Sequence, residues 1–176
     1  MHARKAPIPL DESTLAALAL RYVGRYSTTR AKLRAYLQRK VRERGWAGGA
    51  PPDPAALAER FAERGYVDDA AYALTKSQSL TGRGYGKRRV MGALRAAGID
   101  EGDGAAASAL ADEQAVTAAL RFAERRRLGP FAAQRPDDPR DRERALAAMV
   151  RAGHAFDLSR AIVALPPGAP IDPEEL

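Results

Sequence analysis

In LTGRGYGKRRVMGALRAAGID, residues 80–100, Gly82, Gly84 and Gly86 alternate with other residues and run into Lys87, Arg88 and Arg89. Two chemistries place glycines ahead of cations. One is a nucleotide-binding loop whose backbone N–H groups cradle phosphates. The other is a hinge that presents a basic helix to a large anionic partner. The nucleotide loop fails on spacing. Gly86–Lys87 supplies the last Gly-Lys of G-x-x-x-x-G-K-[ST], but Thr81 stands where the first glycine belongs and Arg88 where the hydroxyl for magnesium belongs. No strand-like run precedes it, and Gly-x-Gly-x-Gly misses the dinucleotide spacing as well. The hinge has a physical argument. Lys87, Arg88 and Arg89 fall in the first turn of a helix, where unpaired N–H groups already create positive potential, so each cation costs roughly a few tenths of a kcal/mol. A locally unfavourable arrangement suits a site for phosphates or carboxylates. An ordinary solvated face accounts for the same three residues. Tyr85 adds a ring for stacking or packing, and Arg88 and Arg95, seven apart, share an outward face.

Other chemistry is thinly supplied. With no cysteine, thiolate catalysis, disulfides and Cys-based metal sites are excluded, and the two histidines, His2 and His154, do not build a metal site. His154 follows Gly153 with no nucleophile nearby, and reads as a surface or capping residue. Asp68–Asp69 and Asp137–Asp138 sit beside helix starts, where capping explains them. Trp46 and Phe131 read as local anchors in loops. No acid/base pair, metal cluster or triad assembles, so no enzyme and no cofactor is expected.

Charge is the stronger signal. The 176 residues hold 29 Lys+Arg against 22 Asp+Glu, a formal charge of +7, which points to a polyanionic or acidic partner. Part of the arginine excess also fits an Arg- and Ala-rich coding style, so clustering weighs more than the total. Residues 21–44 carry nine Lys/Arg against the single acid Glu43, and residues 76–95 carry six and no acid. Around 121–151 the cations return, among them Arg126, but acids offset them. No apolar run reaches the roughly 18–20 residues of a membrane span, and MHARKAPIPL lacks an apolar signal region. A cytoplasmic protein with no membrane partner is expected.

The elements that position these residues read as helices throughout. Ala, Leu, Arg and Glu recur at three- and four-residue spacing, and alternating strand patterns are lacking. A first helix starts near Asp11–Ser13 and runs to Val23, with Leu15, Leu18, Ala19 and Tyr22 on one face. Ser27, Thr28 or Thr29 caps a second, carrying Leu33, Leu37 and Val41 and stopped by Gly45. Asp53 caps a third at Pro54, with Leu57 and Phe61 inward and Gly65 at its end. Asp68 caps a helix to about 80, and the next carries Val90, Leu94 and Ala97 to Gly98. A short Ala-rich helix over 104–111 follows. A third round places Val116, Leu120 and Ala123 inward, then a helix over 139–152 with Ala145 and Met149, and a last one in FDLSRAIVAL. The acidic, Pro-rich tail is expected to be mobile.

RAKLRAYLQRKVRERG, GKRRVMGALRAAG and DRERALAAMVRAG align as three basic, amphipathic helices ending in glycine. That self-similarity predicts an all-α chain of tandem three-helix repeats forming an elongated, curved array. The expected boundaries are an N-terminal tail at 1–10, repeats at 11–66, 67–111 and 112–166, and a C-terminal tail at 167–176. Equivalent cations then fall along one basic stripe.

ERGYVDDAAYALTKSQSLTGRGYGKRRVMGALRAAGID, residues 63–100, resembles the RecX family of regulators of the RecA recombinase. ALRYVGRYSTTRAKLRAYLQRKV resembles its first repeat and RERALAAMVRAGHAFDLSRAIVAL its last. The resemblance implies a non-catalytic protein that binds the RecA filament on single-stranded DNA and inhibits its growth, ATPase and strand exchange. It implies that Tyr66, Asp68 and Asp69 are structural, and that Gly84, Tyr85, Gly86, Arg88 and Arg89 form the binding phrase. The expected contacts, to the recombinase or to DNA directly or through the filament, are Arg30, Arg34, Arg83, Tyr85, Lys87, Arg88, Arg89, Arg95 and Arg126. A monomer is expected. The alternatives are a general DNA- or RNA-binding protein and a helical adaptor for an acidic protein.

Overall fold

The structure is a computed structural model of the chain, and it describes residues 8–134 and 138–176. His2 and Asp137 lie outside the described residues. Nine α-helices follow one another among the described residues, with no strand: α1 (Glu12–Val23), α2 (Arg30–Arg44), α3 (Pro54–Glu63), α4 (Asp69–Gly82), α5 (Lys87–Ala96), α6 (Glu101–Glu113), α7 (Ala115–Arg126), α8 (Pro139–Arg151) and α9 (Phe156–Ala164). The chain is all-α. It divides into two compact units. Among the described residues, unit 1 comprises 8–72 with Ala97–Ile99, and unit 2 comprises Ala73–Ala96 with Asp100–Leu176.

Helix starts are set by side chains that accept the orphan N–H groups. Asp11 accepts from the Thr14 amide at 2.8 Å, Asp53 from Ala56 at 2.9 Å and Asp68 from Ala71 at 2.8 Å. Of the three candidates ahead of α2, Thr29 does the capping. Asp100 accepts from Asp103, so α6 begins at Glu101 and is longer than the 104–111 segment expected from its alanines.

In unit 1, α2 packs on α1 and α3 around Leu15, Ala19, Leu33, Leu37, Leu57 and Phe61, with Leu10 and Val67 closing the ends. Leu10 pairs through its backbone with Gly45 and Ala47, and Trp46 Nε1 donates to the Ala50 carbonyl, so the loop after α2 is anchored. Thr29 also donates its hydroxyl to the Ala97 carbonyl at 2.6 Å. Asp69 is buried and accepts from the Arg30 amide at 2.9 Å and from Arg30 Nε at 3.1 Å, which ties the start of α4 to the start of α2.

In unit 2, α7, α8 and α9 enclose Ala119, Phe122, Ala123, Met149, Ala152 and Ile162. The inward face of α7 is Ala118, Ala119, Phe122 and Ala123, rotated from the Val116–Leu120 face the sequence suggests, and those two are only half-buried. Alanines let neighbouring helices approach closely, and Phe122 supplies the bulk. The C-terminal segment is not a free tail: the Gly168 amide donates to the Pro130 carbonyl at 2.9 Å, and Leu176 packs on this core.

One backbone crossing fixes the glycine hinge. The Gly86 amide donates to the Ala152 carbonyl at 3.0 Å, and the Arg88 amide donates to the Gly153 carbonyl at 3.1 Å. A Cβ on Gly86 would overlap the Gly153 carbonyl, and one on Gly153 would press on the Arg89 amide. Gly153 also has φ +100°, in the left-handed region. Beside this crossing His154 is buried, contrary to the surface or capping role its sequence position suggests. Its Nε2 lies 3.2 Å from the Gly84 carbonyl, and since a carbonyl only accepts, the neutral ring carries its proton there. Burial pushes the imidazole pKa down, with the Gly84 carbonyl opposing.

Two predictions follow from the crossing. Gly86→Ala or Gly153→Ala loses about 2–4 kcal/mol in urea unfolding, from overlap and, at 153, backbone strain. Gly92→Ala, which meets no atom within 4 Å in the interior of α5, gains up to about 1 kcal/mol. Equal effects of the three substitutions would contradict the crossing. Because the folded state disfavours the charged imidazole, the stability His154 contributes is complete above its ordinary pKa of 6.5 and is lost as pH falls below it toward the depressed folded pKa. The stability difference between the native chain and His154→Gln therefore shrinks on acidification from pH 7.5 to 5, by at most about 1.4 kcal/mol per pH unit. A pH-independent difference would contradict it.

Candidate anion-binding groove

Unit 2 holds an open groove of about 730 Å³, lined by Arg83, Tyr85, Arg89, Phe122, Arg125, Arg126 and Arg151, with Ala148 and Ala152. Three stretches bring the five arginines together. Arg83 and Tyr85 belong to the α4–α5 turn, with Arg89 on the first turns of α5. Arg125 and Arg126 end α7, and Arg151 ends α8. Among the described residues no acid lines the groove.

Two aromatic rings organise the cations. The Tyr85 ring carries the Arg83 and Arg89 guanidinium carbons at 5.7 and 5.3 Å from its centroid. The Phe122 ring carries those of Arg125 and Arg126 at 5.6 and 5.8 Å. Such contacts orient a guanidinium over a ring face while its N–H fork stays available. Phe122 in turn contacts the His154 ring, 5.5 Å between centroids, and the Phe122 amide nitrogen would lie 3.1 Å from a Cβ on Gly84. The groove floor is thus continuous with the buried glycine crossing. Helix ends add to the charge logic. Arg121 donates to the Gly82 carbonyl at 3.0 Å and Arg125 donates to the Arg83 carbonyl, so α7 supplies cations to the carbonyl end of α4.

The residues expected from sequence divide into groups. Arg83, Tyr85, Arg89 and Arg126 share this groove. Lys87 pairs with Asp112, and Arg88 donates to the Val150 carbonyl at 2.9 Å, so both brace unit 2 beside the groove. Arg30 is held by Asp69 and by Glu59 at 3.4 Å. Arg34 and Arg95 are exposed on α2 and α5 and line neither of the two grooves described here. Asp68 caps α4, and the half-exposed Tyr66 ring leans on Phe61, 5.4 Å between centroids. Sequence reasoning missed Arg125, Arg151 and Phe122 as lining residues, because the signal joining them is a backbone crossing between residues 67 apart, Gly86 and Gly153.

Unit 1 has its own basic groove of about 420 Å³, lined by Arg21, Tyr22, Arg25, Tyr26, Tyr36, Arg39 and Lys40. Tyr22 was read from the sequence only as an inward position of the first helix and the other six were not singled out, although nine cations within residues 21–44 announced the region. Among the described residues no group of three or more His, Cys, Asp or Glu side chains is placed to hold a metal, and no helix is long and apolar enough to cross a membrane.

The chain matches no family model. The regulatory protein RecX of Myxococcus xanthus (strain DK1622) is 31% identical over 166 residues, spanning 90% of this chain and 89% of that protein. The crystal structure of RecX from Lactobacillus salivarius superposes with a TM-score of 0.61 at 18% identity, covering 86% of this chain and 93% of its own. A second crystal structure, of regulatory protein RecX, also gives a TM-score of 0.61 at 18% identity, over 85% of this chain and 70% of its own. At that identity the two structures bear on the fold alone, which they share with this chain. The sequence relationship, nearly end to end in both proteins, carries the assignment: the chain belongs to the RecX family of regulatory proteins.

Proposed function

We propose that the chain is a non-catalytic regulator that binds the RecA recombinase filament on single-stranded DNA and restrains filament growth, ATP hydrolysis and strand exchange. Family membership supports the partner class. The observation that carries the reading is the convergence of five arginines, from three stretches of chain, on a groove with no lining acid among the described residues. Like charges gathered this way repel, by some tenths of a kcal/mol per pair in water. An incoming carboxylate or phosphate removes that repulsion and accepts forked hydrogen bonds from guanidinium groups. Because the glycine crossing and the two rings already hold these side chains near one another, little ordering is left to be done on binding.

In this proposal Arg83, Tyr85, Arg89, Arg125, Arg126 and Arg151 form the contact, Lys87 and Arg88 brace it, and Arg34 and Arg95 are peripheral. The helices fall into three modules, α1–α3, α4–α6 and α7–α9. A chain of helices seated across neighbouring recombinase subunits disturbs the register that subunit addition and ATP turnover require. The same cations also fit a second reading, binding to bare nucleic acid without a recombinase, because phosphates and carboxylates both reward guanidinium groups.

Added to RecA on single-stranded DNA, the chain is expected to suppress ATP hydrolysis at stoichiometric amounts. Arg89→Gln combined with Arg151→Gln raises the half-inhibitory concentration roughly tenfold or more, the loss expected for charge-assisted hydrogen bonds. Arg42→Gln, outside both grooves, changes it less than about twofold. Unaltered hydrolysis at stoichiometric native chain would reject the recombinase proposal. If the chain instead binds naked strands with a steep salt dependence and leaves hydrolysis untouched, the second reading takes its place.

A further inference from the structure

The groove of unit 1 has a different chemistry from that of unit 2: it is built around stacked rings. Tyr22, in the last turns of α1, and Tyr36, in the middle of α2, lie face to face with centroids 4.2 Å apart and planes 17° from parallel. Both are half-buried against the core of unit 1. Tyr26, just beyond α1, extends the group, its centroid 5.2 Å from that of Tyr22 and its planes tilted by 50°. Tyr26 is 49% exposed, so this ring is not part of the core. Around the rings stand cations. The Arg25 guanidinium is 5.5 Å from the Tyr26 centroid, and Arg39 and Lys40 are 5.7 and 5.9 Å from that of Tyr36. Glu43 lies close, pairing with Lys40 at 2.6 Å and with Arg39 at 3.8 Å.

We propose that this face of α1 and α2 is a stacking site for an unpaired base of single-stranded nucleic acid. Flat rings with cations beside them match the two parts of a nucleotide, since the base stacks on the ring and the adjoining phosphate meets the cation. The groove volume, about 420 Å³, falls in the range of small-ligand sites, roughly 300–1,000 Å³. Among the described residues the lining consists of tyrosines, arginines and one lysine, with no aliphatic side chain to seat an apolar peptide. Duplex DNA hides its base faces, so the site selects single strands. Tyr26 is the ring the base meets first. Tyr22 and Tyr36 support it from the core, and Arg25 and Arg39 hold the phosphates on either side. The proposal concerns other residues than the recombinase proposal and stands independently of it.

The test uses the full chain and no recombinase, comparing a single-stranded thymidine oligomer of about 10 nucleotides with an abasic oligomer of the same phosphate count. Fluorescence anisotropy is expected to show the thymidine oligomer bound at least about fivefold more tightly. Tyr26→Ala removes that preference without changing affinity for the abasic chain, and Tyr26→Phe retains it. Photo-crosslinking with 5-iodouracil in the oligomer is expected to label Tyr26, Tyr22 or Tyr36. Equal affinity of the native chain for both oligomers would overturn the proposal. A preference that survives Tyr26→Ala, with crosslinks mapping to Tyr85 in the other groove, would overturn it as well. Binding of neither oligomer at low salt also overturns it, and leaves the face to an acidic protein partner. None of these outcomes depends on ATP hydrolysis by the recombinase, so the two proposals fail separately.

Discussion

The backbone of Gly86 lies against the backbone of Gly153, and the arrangement of cations in unit 2 follows from that approach. Any side chain at either position separates the α4–α5 turn from the α8–α9 turn. With both glycines present, amides on one turn reach carbonyls on the other, and the first turn of α5 is pinned beside the last turn of α8. Arg89 and Arg151 then share one groove although 62 residues separate them. The buried His154 extends the same constraint, since its ring bonds the Gly84 carbonyl and touches Phe122, which carries two of the guanidinium groups.

Charge in this chain does several separate things. Some cations complete the fold. Arg30 satisfies the buried Asp69, and Arg88 and Arg121 donate to carbonyls at helix ends, where α-helices leave acceptors unpaired, while Arg125 donates to one and lines the groove as well. Others gather in the groove of unit 2, which no acid lines among the described residues. A formal charge of +7 therefore understates the local contrast, because acids elsewhere, such as Glu59, Asp69 and Asp112, cancel cations that act structurally. Tyr85 and Phe122 in unit 2, and Tyr26 and Tyr36 in unit 1, present rings to guanidinium or ammonium groups. The two grooves thus differ in emphasis: clustered guanidinium in one, stacked rings in the other.

Much of the fold was legible in the sequence because it is set locally. Asp11, Asp53 and Asp68 cap the helices their positions announced, and Gly65 and Gly98 adopt the positive φ that helix-ending glycines favour. Leu33, Leu37, Val90 and Leu94 are buried at the spacing their pattern dictates. Family resemblance was legible for the same reason, being carried by short phrases such as RGY-x-DD and GYG-x-RR. What was not legible depends on distant partners. Nothing local distinguishes Arg30, which meets a buried aspartate, from Arg34, which stays exposed one turn later. The face of α7 rotates because alanines admit close neighbours, a choice invisible to a rule that counts only large apolar residues. Arg125 and Arg151 looked like charges offset by nearby acids, since compensation was judged along the chain and not across the groove.

The proposed contact is between the guanidinium groups of the unit 2 groove and the recombinase filament. Arginine footprinting measures this directly. The chain, free or bound to the assembled filament, is modified with phenylglyoxal and each arginine is quantified by mass spectrometry. Arg89, Arg126 and Arg151 are expected to be protected in the complex while Arg42 and Arg64 react as in the free chain. Undiminished modification of the groove arginines in a complex that has demonstrably formed would contradict it.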